Sequence, residues 1–197
     1  MLLKMSSGKT PGIDGIPAEV LKYGGPSLVT HLTDLIAKIW EDEAVPQDFK
    51  DALLAHVYKH KEDRACCDNH RGISLLCIAG KVLARVLLNR LNDHVHSNNI
   101  IPASQCGFRA GRGTTDMIFT ARHLQEKCRE QHCDLYMIFI YVTKAFDSGN
   151  RQVLWQVLSQ ISCPDKFVKI IASVAATTKA LSAIEEITYH HCYKPLV

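Results

Sequence analysis

The sequence predicts a mixed α/β fold of the α+β kind, and three observations predict it. Apolar residues recur at helical spacing in several long segments, as Leu28, Leu32, Leu35, Ile36, Ile39 and Trp40 do. Two short apolar runs, "DALLAHVYKH" and "RGISLLC", flank the polar stretch "KEDRACCDNH", the pattern of a hairpin. A third run, "DLYMIFIYV", is apolar on both faces and reads as a central strand. With 197 residues, 47% of them hydrophobic, the chain can bury a substantial core in one generous domain, or in one domain plus part of another.

The elements follow in order. The turn-rich lead-in "GKTPGIDGIP" ends at Pro17, which suits the first position of a short helix, "PAEVLKYGG", stopped by Gly24 and Gly25. Ser27 is expected to cap the longer helix that follows, and Pro46 to close it. The hairpin strands are expected at residues 52–58 and 72–77, paired antiparallel. "AGKVLARVLLNRLNDHVHS" is an amphipathic helix with Val82, Leu83, Val86, Leu87 and Leu91 on one face. After the loop "IPASQCGFRAGRG", Thr114 or Thr115 is expected to cap a helix from Asp116 to about Glu130. Residues 135–142 are expected to form a buried strand, and "RQVLWQVLSQI" and "DKFVKIIASVAA" two further helices. After Ala172 the pattern weakens, and "EEITYHHCYKPLV" predicts no element.

Net charge is only +3, too small to name a partner, but it is unevenly spread. Residues 56–130 hold 12 Lys/Arg against 7 Asp/Glu, and the rest 11 against 13, so the basic middle mildly favours a phosphate-rich partner. "MLLKMSSGKT" is too poor in apolar residues for a signal peptide, and no apolar run approaches the roughly 18–20 residues of a membrane span. An intracellular protein, cytoplasmic or nuclear, without a membrane partner and with reduced thiols is therefore expected, despite 8 cysteines. Cys66, Cys67 and His70 come nearest to a metal cluster, with His190, His191 and Cys192 far along the chain. No pair has zinc-knuckle spacing, so no metal is expected.

Three motifs could carry chemistry. "QCGFRAGRGTT" sets Arg109 and Arg112 between glycines just before a helix start, the ingredients of a phosphate-binding loop or of a solvated turn whose arginines pair with the protein's own carboxylates. "YKHKEDR" and "NHRG" place Lys59, Lys61, Arg64 and Arg71 on or beside the hairpin. They could reach along a phosphate backbone or blunt a sheet edge. "IYVTKAFD" holds one carboxylate, Asp147, which cannot clamp two Mg²⁺ ions and reads more simply as an N-cap. Tyr141 is a poor Mg²⁺ ligand, since its phenol stays neutral at pH 7.

In this order, "GKTPGIDGIPAEVLK", "NHRGISLLCIAGKVLARVLLNRL", "SQCGFRAGRGTTDMIFTARHLQEK" and "FIYVTKAFDSGNRQVLWQVLS" resemble the reverse transcriptases of non-LTR, LINE-type retrotransposons. The resemblance implies reverse-transcriptase-like fingers over residues 1–133 and an incomplete palm over residues 134–197, fading after about residue 172. It implies that Lys59 and Arg71 lie where the family meets the incoming triphosphate, and that Arg109 and Arg112 lie near template and nucleotide. Phe146 takes the aromatic position under the sugar. Tyr141 takes the place of the first catalytic aspartate, so no catalytic residue is retained there. His70 stands where the family has Tyr, Ala110 where it has Pro, and Ser162 where it has a turn Gly. The Gly-x-x-Gln-Gly segment and the Asp-Asp hairpin are not found in these residues. An inactive, truncated reverse transcriptase domain is the expectation, without the Mg²⁺ that active members use as cofactor. A non-catalytic module with weak, non-specific RNA or DNA binding is the first alternative, and a small interaction domain the second.

Overall fold

The computed structural model describes residues 5–60, 63–66, 69–142, 145, 148–176 and 180–182. The fold is mixed α/β, as expected, and divides into two compact units, Met1–Arg90 with Leu158–Val197, and Leu91–Val157.

The first unit opens with α1 (Ala18–Tyr23), for which Pro17 is the extended residue before the helix and not its first member. α2 (Gly25–Asp42) begins two residues ahead of Ser27, with Gly24 at its N-cap and no side-chain cap. The expected Ser27 cap is corrected by Pro26, whose fixed φ suits the first turn and moves the start upstream. Ala18 and Leu21 of α1, Leu32 of α2, and Ile78 and Val82 of α3 (Ile78–Ser97) form one buried cluster, with Met5, Leu28 and Ile36 against it. Burying Ile78 and Ile170, both fully covered, contributes about 1.5–3 kcal/mol each.

β1 (Ala52–Tyr58) and β2 (His70–Leu76) form the expected antiparallel hairpin, in register Ala52↔Leu76 through Tyr58↔His70. β2 begins two residues earlier than expected. A third strand, β3 (Ala180–Ser182), lies parallel to β1 and gives the order β2-β1-β3. Three residues are too few for any period to announce. α6 (Asp165–Ala176) is held to the end of α2 by Lys166, which donates to the Glu41 carbonyl at 3.2 Å, and by Lys169, 3.0 Å from Glu43. Trp40 has two cations near its ring, Arg90 at 5.1 Å and Lys166 at 5.8 Å from the ring centre.

Cys77 joins β2 to α3 at a place where backbone segments approach closely. Its Sγ accepts from the Gly80 amide at 3.2 Å, doing the work of an N-cap oxygen. Burial pushes the thiol above its usual pKa and outweighs that amide, which acts the other way. A Cβ on Gly80 would meet the Phe49 carbonyl at 2.8 Å, and one on Gly12 would meet the Cys77 amide at 2.5 Å.

In the second unit, α4 (Thr114–Glu130) is capped at Gly113 and not by Thr114 or Thr115. Asp116, in the first turn, takes the Gly113 amide at 2.7 Å and supplies the cap from inside the helix. Residues 134–142 correct the largest expectation. They form no strand, and Tyr136, Ile138, Phe139, Ile140 and Tyr141 are 85–88% exposed. A strand is stabilised by cross-strand partners, and no described strand pairs with this one. α5 (Arg151–Gln160) is capped by Asn150, whose Oδ1 accepts from the amides of Gln152 at 2.9 Å and Val153 at 3.3 Å. Asp147, the expected cap, lies outside the described residues.

Gly80→Ala is expected to cost about 1–3 kcal/mol by overpacking α3 against Phe49, read as a lower midpoint in urea unfolding. An unchanged midpoint would show that the Phe49 backbone moves aside freely.

Candidate nucleic-acid interface

The first unit holds a groove of about 1110 Å³ with three walls. Met5, Ser6, Lys9 and Thr10 form one, residues 73–76 of β2 the second, and one face of α3 the third. On α3, Lys81, Arg85, Leu88 and Asn89 fall at i, i+4, i+7 and i+8, so helical geometry alone stacks them along the groove. Among the described residues three cations, Lys9, Lys81 and Arg85, line it, and no carboxylate does. Ile73 and Leu88 stay nearly half exposed on its apolar floor. A polyanion with flat, partly apolar groups matches that lining.

α1 pins the wall that carries Lys9. The Gly8 amide donates to Glu19 Oε1 at 2.6 Å, and Lys22 Nζ donates to Ser7 Oγ at 3.3 Å. The Gly8 amide is the main reason that the exposed Glu19 carboxylate sits below its usual pKa.

The hairpin brings two of the expected site residues together. Arg71 is opposite Val57, and Lys59 follows Val57 by two residues, so both cations lie on one face as diagonal neighbours. That face of β2 continues through Ile73 and Leu75 into the groove. The Lys59 amide donates to the Asn69 carbonyl at 2.8 Å and closes the hairpin end. On the other face Tyr58 packs on His70 at 5.4 Å between ring centres, which gives the histidine an aromatic's place. Arg64 is exposed in the turn, and Lys61 lies outside the described residues.

Arg109 and Arg112 belong to the second unit, in the loop before α4. Arg109 donates from Nη1 to the Pro102 carbonyl at 3.0 Å. Arg112 stands 3.9 Å from Asp116, with both side chains well exposed. The loop is anchored by Cys106, which is buried. Next to Arg109 in the chain, Phe108 adopts a left-handed φ of 56° and is 91% exposed. Phe146 lies outside the described residues. Tyr141 is 88% exposed in residues 134–142, and among the described residues no group of three or more His, Cys, Asp or Glu is placed to hold a metal ion. A lone exposed phenol does not fit a Mg²⁺ site, which takes carboxylate oxygens.

Sequence reasoning missed Lys9, Lys81, Arg85 and Phe108. The signal for the second and third was a basic i, i+4 pair in "GKVLARVL", read only as part of an amphipathic helix. Lys9 and Phe108 carried no signal apart from their loops.

The family described as reverse transcriptase (RNA-dependent DNA polymerase) matches residues 58–193. The chain is 30% identical over 141 residues to a probable RNA-directed DNA polymerase from transposon BS of Drosophila melanogaster, covering 71% of this chain and 15% of that protein. It is 26% identical over 180 residues to the transposon TX1 uncharacterized 149 kDa protein of Xenopus laevis, covering 91% and 14%. It is 24% identical over 147 residues to the RNA-directed DNA polymerase from mobile element jockey of Drosophila melanogaster, covering 75% and 16%. The chain thus spans about one-seventh of the length of these relatives. No helix among the described residues is long and apolar enough to cross a membrane.

Glu19→Ala is expected to release the Lys9 wall, so the Gly8 amide hydrogen exchanges faster than in the unaltered chain at neutral pH. A carboxylate with a lowered folded pKa contributes above its unfolded pKa and is lost as pH falls through the folded value. The two proteins should therefore converge below the carboxylate range. Equal exchange at pH 7 would show that Glu19 does not hold this wall.

Proposed function

Because the chain belongs to the reverse transcriptase family of non-LTR, LINE-type retrotransposons, we propose that it is a nucleic-acid-binding part of an RNA-directed DNA polymerase that holds a phosphate backbone but does not itself extend a primer. The observation that carries the binding reading is the groove lined by Lys9, Lys81 and Arg85 with no carboxylate among the described residues. Lys59 and Arg71 extend its charge along the hairpin face. Phosphate contacts carry no base information, so the binding is non-specific, in the range of roughly 10⁻⁴–10⁻⁶ M at physiological salt. Arg109, Arg112 and Phe146 enter this reading through the resemblance alone, as residues near template and nucleotide. So does the division into fingers over residues 1–133 and palm over residues 134–197.

Two-metal phosphoryl transfer needs bridging carboxylates. Position 141 offers a phenol, and these 197 residues contain no adjacent Asp-Asp pair. No Mg²⁺ cofactor is therefore proposed for this chain. The uncovered apolar surface of the second unit favours a second reading, an interaction domain. A chain that binds neither RNA nor DNA at low salt would decide for it.

Pure protein is expected to give no primer extension on RNA or DNA templates with Mg²⁺ or Mn²⁺, and Tyr141→Asp alone is expected not to restore any. Extension by that variant would reveal other carboxylates completing the site. In a salt titration with single-stranded RNA, Lys81→Ala with Arg85→Ala should flatten the slope of log K against log salt by about 1.4, two contacts at about 0.7 each. Arg109→Ala with Arg112→Ala should weaken all sequences alike with a smaller change of slope, since Arg109 is already engaged by Pro102. An unchanged slope in the first variant would remove the groove from the interface.

A further inference from the structure

α4 ends in a backbone motif that brings two thiols together. The Cys133 amide donates to the Cys128 carbonyl at 3.0 Å, and the His132 amide donates to the Arg129 carbonyl at 3.2 Å. His132 between them has a left-handed φ of 52°. These are the two bonds and the reversed residue of a Schellman cap, in which the side chains three positions before the cap and two positions after it are brought side by side. That contact is usually apolar. Here it is made by Cys128, half-buried, and Cys133, exposed, both of them free thiols.

We propose that Cys128 and Cys133 form a two-thiol exchange site for low-molecular-weight disulfides, closing to an intrachain disulfide across the C-terminal cap of α4. Cys133, the more accessible thiol, attacks one sulfur of the small disulfide as its thiolate. The S–S bond breaks and one small thiolate leaves. Cys128 then loses its proton to water and attacks the Cys133 sulfur of the mixed disulfide, expelling the second small thiolate. Two electrons pass from the cysteine pair to the small disulfide, and its two thiolates take up the two protons released. The neighbouring Cys133 thiol, more than burial, holds the Cys128 thiol above its usual pKa, so Cys128 waits in its protonated form. The bond would tie the last turn of α4 to the residue next to the exposed segment 134–142, and a reducing thiol would release it. Nothing in this site depends on nucleic-acid binding.

The test treats the full chain with oxidised glutathione, blocks free thiols, and digests with trypsin without reduction. Cleavage after Lys127 and Arg129 separates the two cysteines, so the intrachain bond appears in mass spectrometry as the dipeptide Cys-Arg (residues 128–129) linked to the peptide of residues 130–144. The link is expected to form about tenfold faster in the folded chain than in concentrated urea, because the cap raises the effective concentration of one thiol at the other. His132→Gly should keep it, since glycine accepts the left-handed conformation. His132→Pro, with φ locked near −65°, should lower the rate to the urea value with both thiols still present. Circular dichroism confirms that α4 persists in both variants. Separate glutathione adducts on the two cysteines with no linked peptide, or equal rates in all three proteins and in urea, would overturn the proposal.

Discussion

Three backbone segments meet at Cys77, and the groove exists because they can. The N-terminal segment touches the Cys77 amide through Gly12, the turn at Phe49 touches α3 through Gly80, and the Cys77 thiol takes the Gly80 amide in the first turn of α3. A side chain at either glycine would put a carbon inside van der Waals distance of backbone atoms, which cannot swing away as a side-chain end can. All three groove walls leave from this junction or from the residues around it. The placement of Lys9, Lys81 and Arg85 is therefore set by close packing and only then used by charge.

Magnitudes separate the two basic regions. The pair of Arg112 with Asp116, 3.9 Å apart and solvent-exposed, contributes at most about 0.2–1 kcal/mol. Asp116 serves the fold chiefly as the acceptor that caps α4, a bond of charge-assisted length at 2.7 Å. Arg112 is thus only weakly held by Asp116, while Arg109 gives one donor to the Pro102 carbonyl and shapes its own loop. In the groove of the first unit no carboxylate among the described residues lines the walls with the cations. That absence, more than the number of basic residues, makes it the stronger candidate for a polyanion.

The second unit is short of core. Between residues 91 and 157 only Cys106 is buried among the described residues, while Ile118, Phe119 and the run from Tyr136 to Tyr141 lie open. Apolar surface on this scale in one short segment marks a place that another surface covers. The fold therefore has one well-packed unit that presents charge and one that presents unmet apolar area. Tyr141 belongs to the latter.

The sequence by itself determined every α-helix of the described residues to within a few residues, the hairpin, and the membership of the chain in its family. Those features rest on local information: a period of 3.6, paired β-branched and apolar runs around a polar turn, and ordered motifs such as "CGFRAGRGTT". It also determined that position 141 lacks a carboxylate. The tertiary structure alone decided the rest. Whether residues 134–142 become a strand depends on partners for their amides and carbonyls, which propensity cannot supply. β3 exists through pairing with β1 and has no period of its own. Lys9, Lys81 and Arg85 come from segments that a reading along the chain keeps more than 70 residues apart, and only packing at Cys77 puts them on one groove. Helix caps moved for the same kind of reason: Asp116 and Asn150 took the ends because their side-chain oxygens reached the open amides, and Pro26 shifted the start of α2 because its fixed φ suits the first turn, whereas composition had favoured other residues.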